Sequence, residues 1–267
     1  MATRTYEQIM VERDGPVATI RLNNPARLNA LAPTLTAELL ETLEEFGSDP
    51  EVRAIVLTGE GRGFSAGADL STLQEPYLKG ERPKLSFFLK EGYNKLIPLL
   101  AETPKPVIAA VNGVAAGAGV SLALACDFRI ASEAASFSMA FVRIGLIPDA
   151  GSSYLLPRTV GMAKALELAL LSEKVDAETA LRIGLVNGVV PADQLEAEAH
   201  ALATRLAELP TAAIGMTKRV FIEASRLSLA ETLDREAEVQ DEAAATDDHI
   251  EGVMAFLEKR QPSFKGR

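Results

Sequence analysis

The chain has 267 residues, 48% of them apolar and 24% charged, with one cysteine and a formal net charge of -10. Such a length and apolar content can bury a sizeable core, which excludes a disordered or fibrous chain. The negative field repels nucleic acid and anionic membrane surfaces, a single cysteine forms no internal disulfide, and an anionic small ligand would need a local basic pocket.

The opening "MATRTYEQIMVERDG" lacks the apolar stretch of a signal peptide, so the expected location is cytoplasmic. "YEQIMVE" and "PVATIRLN", separated by "RDGP", predict a β-hairpin. "PTLTAELLETLEEFGSD" has helical spacing, with Thr34 or Thr36 as cap and Gly47 as stop. "VRAIVLTG" predicts a buried strand that runs into the glycine-rich "LTGEGRGFSAGADL", with a helix starting near Asp69. A helix in "KLSFFLKEGYNKLIPLLAET" follows, then the strand "KPVIAAVNG", a small-residue helix in "GAGVSLALACD", the strand "FRIAS" and the strand "GLVNGVV".

The uncharged run from Pro106 to Cys126 approaches the roughly 20 residues of a membrane span. Asn112-Gly113, Gly117 and Gly119 interrupt it with turn chemistry, and a buried strand followed by a buried helix explains the missing charge. Strands alternating with helices imply an α/β fold with mostly parallel pairing. After about Pro191 the strand signal ends and Ala, Glu, Leu and Arg dominate. The expected organisation is a core over 1–195 and a helical C-terminal region over 196–267 that packs on the core or on another subunit.

Two stretches can carry chemistry. "GFSAG", Gly63 to Gly67, matches the G-x-S-x-G nucleophile elbow, but "GEGRG" separates it from the strand, and the two histidines, His200 and His249, lie in the charged helical region. Gly59, Gly61 and Gly63 give G-x-G-x-G, a weak match to a dinucleotide fingerprint. A further reading is that small residues around Gly67 leave backbone N–H groups free to face a ligand oxygen. "AAVNGVAAGAGVSLALACD" repeats the strand, small-residue loop and helix, so two loops after parallel strands can converge on one carbonyl oxygen as an oxyanion hole. Cys126 lies in the apolar "LALACDF" and reads as a core residue, and no Cys/His set suited to a metal is present.

"NPARLNAL", "GFSAGADL", "AAVNGVAAGAGVSLALACDFRIAS" and "GLIPDAGSSYLLPRTVG" resemble, in order and spacing, the signatures of the enoyl-CoA hydratase/isomerase (crotonase) superfamily. The resemblance implies a crotonase-like spiral of β-β-α repeats, a C-terminal helical region for trimerisation that also lids the CoA pocket, and an acyl-CoA thioester ligand. Trimers or hexamers are implied, with no cofactor beyond the coenzyme A of the substrate. It also implies that the N–H groups of Ala68 and Ala118 form the oxyanion hole, Gly117 preceding the second. Ala26, Arg27, Leu28, Ala66, Asp69 and Leu70 would line the CoA channel, with Arg27 and Lys259 for the phosphates.

The family's hydratases place two glutamates where this chain has Ser121 and Phe141, so ordinary hydration is poorly supported. Asp149 stands where family isomerases, including ring-epoxide isomerases of phenylacetate catabolism, carry an aspartate. One carboxylate there can move a proton from C2 to C4 of a 3-enoyl-CoA. The expected activity is therefore double-bond or ring-epoxide isomerisation, with enoyl-CoA hydration or non-catalytic acyl-CoA binding as the alternatives. "PDAG" also suits a type I turn, with Asp149 capping a helix near Gly151, and Arg143 is a possible partner for its carboxylate. Phe141, Phe87, Phe88, Tyr77 and Tyr93 suit either the core or a pocket for a ring-bearing or branched acyl chain.

Overall fold

A computed structural model describes residues 2–267. It opens with three antiparallel strands, β1 (Ala2–Thr5), β2 (Ile9–Asp14) and β3 (Val17–Leu22). The predicted hairpin joins Asp14 to Val17 through Gly15, whose φ of +57° suits the first central position of a two-residue turn. Helix α1 (Pro33–Ser48) is capped by Ala32 and not by Thr34 or Thr36. Proline at the first helical position presets the backbone there, and Gly47 lies inside the last turn instead of ending it.

The next strands alternate between two sheets. β4 (Ala54–Gly59), β6 (Val107–Val111), β8 (Phe128–Ser132) and β11 (Gly188–Val190) extend the first sheet in parallel, in the order β1-β2-β3-β4-β6-β8-β11. The short strands β5 (Gly63–Ser65), β7 (Val114–Ala116), β9 (Ser136–Ser138) and β10 (Val175–Asp176) form a second sheet, in the order β10-β9-β7-β5. Each of β4, β6 and β8 is thus followed by a strand of the other sheet and then by helix, which is the expected β-β-α spiral.

Those helices are α2 (Gln74–Leu78), α3 (Leu85–Glu91) and α4 (Tyr93–Glu102) after β5, α5 (Ala118–Leu124) after β7, and α6 (Ser152–Val160) and α7 (Met162–Leu171) after β9, with α8 (Ala177–Arg182) after β10. The helix predicted across "KLSFFLKEGYNKLIPLLAET" is two helices. Its pattern is interrupted at Gly92, whose φ and ψ of -113° and -91° are not helical.

Strand alternation divides the core. Ile55 and Leu57 of β4 face the larger cluster, with Ile20, Leu39, Phe64 and Leu100. Ala54 and Val56 face a smaller one, closed by Leu195, Ala199, Ala203 and Ala207 of α9 (Leu195–Ala207). The helical region expected from residue 196 therefore begins on a helix that covers the first sheet, and the core packing runs on to Ala207.

Three further helices follow, α10 (Thr211–Ala224), α11 (Leu229–Ala244) and α12 (Asp247–Glu258). Arg53 ties this region down through Thr211 Oγ1 at 2.9 Å and the carbonyls of Phe264 and Leu209 at 2.9 and 2.8 Å. Lys218 of α10 pairs with Asp127 at 2.7 Å. Among the described residues no helix is long and apolar enough to cross a membrane, and no cluster suited to a metal occurs.

Candidate active site

The segment after β3 turns back through a short 3-10 helix, Pro25–Arg27, and two consecutive residues with positive φ, Leu28 at +50° and Asn29 at +56°. Asn29 is fully buried, and its Nδ2 donates to the carbonyls of Glu60 and Gly63 at 3.0 and 2.7 Å. This brace sets residues 28–31 beside the first glycine-rich loop. Ala66 N donates to Leu28 O at 2.8 Å and Leu31 N to Gly67 O at 2.7 Å.

The second loop meets the first through backbone alone. A Cβ on Gly67 would lie 2.5 Å from the Ala116 carbonyl oxygen and 3.1 Å from the Ala118 nitrogen, and Gly67 has φ +85°. Only glycine fits that approach and that dihedral. Gly117 carries positive φ, +50°, in the second loop, so Ala118 is free of left-handed strain. Each alanine thus follows a glycine that turns the chain. Among the described residues neither Ala68 N–H nor Ala118 N–H has a hydrogen-bond partner. Ala118 is the first residue of α5, where an unsatisfied N–H is expected.

Beside the loops lies a cavity of about 340 Å³. Ala68, Asp69 and Leu70 come from the first loop, Leu146 and Asp149 from the loop after β9, Thr36 and Leu40 from α1, and Phe87, Phe88, Glu91 and Tyr93 from α3 and the start of α4. Ala68, Asp69, Leu70 and Asp149 thus line one cavity together with Phe87, Phe88 and Tyr93, whereas Gly117 and Ala118 of the second loop are outside its lining. Ala26, Arg27, Leu28 and Ala66 lie on the two facing segments next to the first loop. Tyr77 is exposed and outside the lining. Phe141 does not line the cavity. It is buried in the 3-10 turn Ala140–Ile144 and packs against Gly117, where a Cβ would sit 3.8 Å from its ring. Lys259, just past the end of α12, is also outside the lining.

Asp149 neither caps α6 nor makes the expected turn. A type I turn with Asp149 in its first central position requires negative φ at Ala150, but Ala150 has φ +48° and Gly151 +77°. Ser152 N donates to Asp149 O at 3.0 Å, so Ala150 and Gly151 are the central residues of a turn with both φ positive. The Asp149 carbonyl also accepts from Ser152 Oγ at 2.8 Å and from Ser121 Oγ at 3.1 Å. Ser121 stands where the resembling hydratases hold a carboxylate, and here it anchors the backbone of Asp149.

With its main chain so held, the side chain is left unengaged. Among the described residues Asp149 Oδ1 is buried and has no hydrogen-bond partner. Desolvation by burial raises its pKa to about 6. Arg143 is not its partner, since the guanidinium donates to the Ser172 carbonyl. Asp69 behaves oppositely. Burial works against its charge, but hydrogen bonds from Ser71 and Arg27 outweigh burial and lower its pKa, with Arg27 Nη1 2.8 Å away.

Burial, followed by the charges of Asp149 and Asp69, raises the pKa of Tyr93, so the phenol stays protonated and donates to Leu31 O at 3.1 Å. Ser65 is no nucleophile. It is fully buried, donates to Asn29 O at 2.8 Å and accepts from Gly67 N at 3.2 Å. Cys126 is also buried, which pushes its thiol up to about 12.

Sequence reasoning missed Asn29, Glu91 and the role of Ser121. The paired asparagines of "NPARLNAL" were a usable signal for Asn29, because asparagine tolerates the left-handed region better than most residues.

The family model described as enoyl-CoA hydratase/isomerase matches residues 12–267. The 1,2-epoxyphenylacetyl-CoA isomerase of Escherichia coli K12 is 44% identical over 262 residues, covering 98% of this chain and 99% of that protein. The 2,3-dehydroadipyl-CoA hydratase of the same organism is 36% identical over 260 residues, covering 97% and 99%. The crystal structure of enoyl-CoA hydratase from Bacillus anthracis superposes with a TM-score of 0.90 at 34% identity, covering 98% of this chain and 100% of that one. Matching fold, loops and sequence over nearly its whole length, the chain belongs to the enoyl-CoA hydratase/isomerase family and is an enzyme of that superfamily.

Proposed function

We propose that this enzyme is an acyl-CoA isomerase with Asp149 as its proton shuttle. The observation that carries the reading is the buried, unpartnered Asp149 Oδ1 in a cavity that also holds the free Ala68 N–H. The thioester oxygen accepts from Ala68 N–H and Ala118 N–H. The Asp149 carboxylate removes a proton from C2 of a 3-enoyl-CoA, and the electron pair delocalises to that oxygen as a dienolate. The resulting carboxylic acid returns the proton to C4, and the double bond ends between C2 and C3. Each oxyanion donor contributes typically about 2.7–4 kcal/mol to such a step.

A ring-epoxide acyl-CoA enters by the same C2 deprotonation. The E. coli relative named for that substrate and the Phe87 and Phe88 wall support a ring-bearing acyl group. Hydration remains the second reading, because the relatives include hydratases. Ser121 and the buried Phe141 do not supply the second carboxylate that would orient water, and Glu91 of the cavity lining is engaged by Lys95 at 2.6 Å. Arg27 and Lys259 are the cations we assign to the CoA phosphates, and the substrate supplies the only coenzyme this reading needs.

A homotrimer or hexamer in the cytoplasm completes the reading. The assembly is supported by exposed apolar side chains on α10 to α12, among them Phe221, Leu229, Leu233, Phe256 and Leu257. The test compares trans-3-hexenoyl-CoA and trans-2-hexenoyl-CoA as substrates, following conjugation by absorbance and water addition by mass. Isomerisation faster than hydration is expected, and the reverse order would overturn the reading.

A further inference from the structure

The charged side chains that line the cavity are all acidic. Its two ends differ. Ala68, Asp69 and Asp149 mark the loop end, where the thioester reacts, and α1 and α3 enclose the rest with Leu40, Leu85, Phe87 and Leu89. Three side chains of the lining, Asp69, Glu91 and Asp149, are acidic, and among the described residues no Lys or Arg lines it. Asp69 is held by Arg27 at the loop end. Glu91 is the acid that α3 adds to the wall, with its side chain more than half exposed, and Lys95 Nζ pairs with it at 2.6 Å from the next turn.

We infer that this cavity admits neutral, apolar-ended acyl groups and rejects chains that end in a carboxylate, with Glu91 as the specificity-determining residue. The inference rests on the acyl-CoA reading of the same cavity. A terminal carboxylate in the apolar part of the lining would leave water without gaining a cation, and toward α3 it would find the nearby ammonium of Lys95 already held by Glu91. A charge removed from water needs a partner, and specificity commonly comes from leaving the wrong ligand's charge without one. A methyl or phenyl end pays no such cost. Lys95, outside the lining and already engaged by Glu91, is not available to a ligand.

Hexanoyl-CoA and adipoyl-CoA share chain length and differ at the far end, and neither has a double bond to move. Their dissociation constants for the full-length protein, measured calorimetrically, test the inference apart from turnover. Wild type is expected to bind hexanoyl-CoA at least about tenfold more tightly than adipoyl-CoA. Glu91→Gln, which frees Lys95, and Glu91→Lys are each expected to narrow that ratio, the second by about tenfold.

Equal affinities in wild type would overturn the inference, as would a ratio that neither substitution moves. Failure to bind either ligand would overturn it together with the acyl-CoA reading. Selective binding without isomerisation of trans-3-hexenoyl-CoA would support the inference and count against the isomerase reading alone.

Discussion

Replacing Asp149 with asparagine should stabilise the protein while removing its chemistry. The free carboxyl titrates at 3.8 and Asp149 at about 6, because burial disfavours its charged form. Between those values the folded state keeps a proton that the unfolded state has lost, so stability falls as pH rises through that window. The full shift corresponds to about 3 kcal/mol. Asp149 is only partly buried, so solvent screening reduces this to about 1–2 kcal/mol. Asparagine has the same shape and no charge to desolvate, and the backbone hydrogen bonds from Ser121 and Ser152 remain.

Denaturant unfolding of both proteins at pH 8 should therefore show Asp149→Asn more stable by about 1–2 kcal/mol, a gap that closes as pH falls toward 4. Isomerase turnover should fall by about 10²–10⁴-fold, the usual contribution of a general base. A variant less stable than wild type at pH 8 would refute the reasoning, since it would mean that the carboxylate makes stabilising contacts in its loop.

The carboxylate is the working form, so kcat/KM for 3-enoyl-CoA should rise with pH through about 6 and level off above it. A stopped-rate profile from pH 4.5 to 8 checks this, and a fall in rate across that limb would contradict it. Gly67→Ala would force a Cβ to 2.5 Å from the Ala116 carbonyl oxygen at φ +85°, so thermal unfolding should show a loss of about 2–4 kcal/mol or failure to fold. Ser121→Ala removes the 3.1 Å bond to the Asp149 carbonyl, and kinetics should show lower kcat with KM little changed, at a cost of about 1 kcal/mol in stability. Ser65→Ala should destabilise by about 1–2 kcal/mol through its lost bonds to Asn29 and Gly67, with no release of free CoA in either protein.

The parts of the fold that rest on periodicity and on glycine placement were legible from residue types alone. The charge-free, largely apolar β4 and β6 read as buried strands because both of their faces are covered, by α9 on one side and the larger core on the other. The two small-residue loops were legible as a pair. That Gly67 and Gly117 absorb the positive φ in place of the alanines that follow them was not, because it depends on loops distant in sequence meeting at backbone contact.

Asp149 was visible through the resemblance of "GLIPDAG" to family isomerases, but its turn was misread. Local preference favours negative φ at an alanine such as Ala150, and tertiary anchoring of the Asp149 carbonyl overrides that preference. Glu91 escaped notice because its helical pattern continues past Gly92 in sequence while the helix itself breaks there. Phe141 suited either the core or the acyl pocket and lies buried behind Gly117, a depth that residue type does not encode.

The central claim is that one carboxylate both removes and returns the proton. A single turnover of trans-3-hexenoyl-CoA carrying deuterium at C2, run in ordinary water and read by mass and NMR, tests it most directly. Wild type should yield trans-2-hexenoyl-CoA with part of the label at C4, and Asp149→Asn should yield essentially no product. Isomerised product from Asp149→Asn at the wild-type rate would contradict the account.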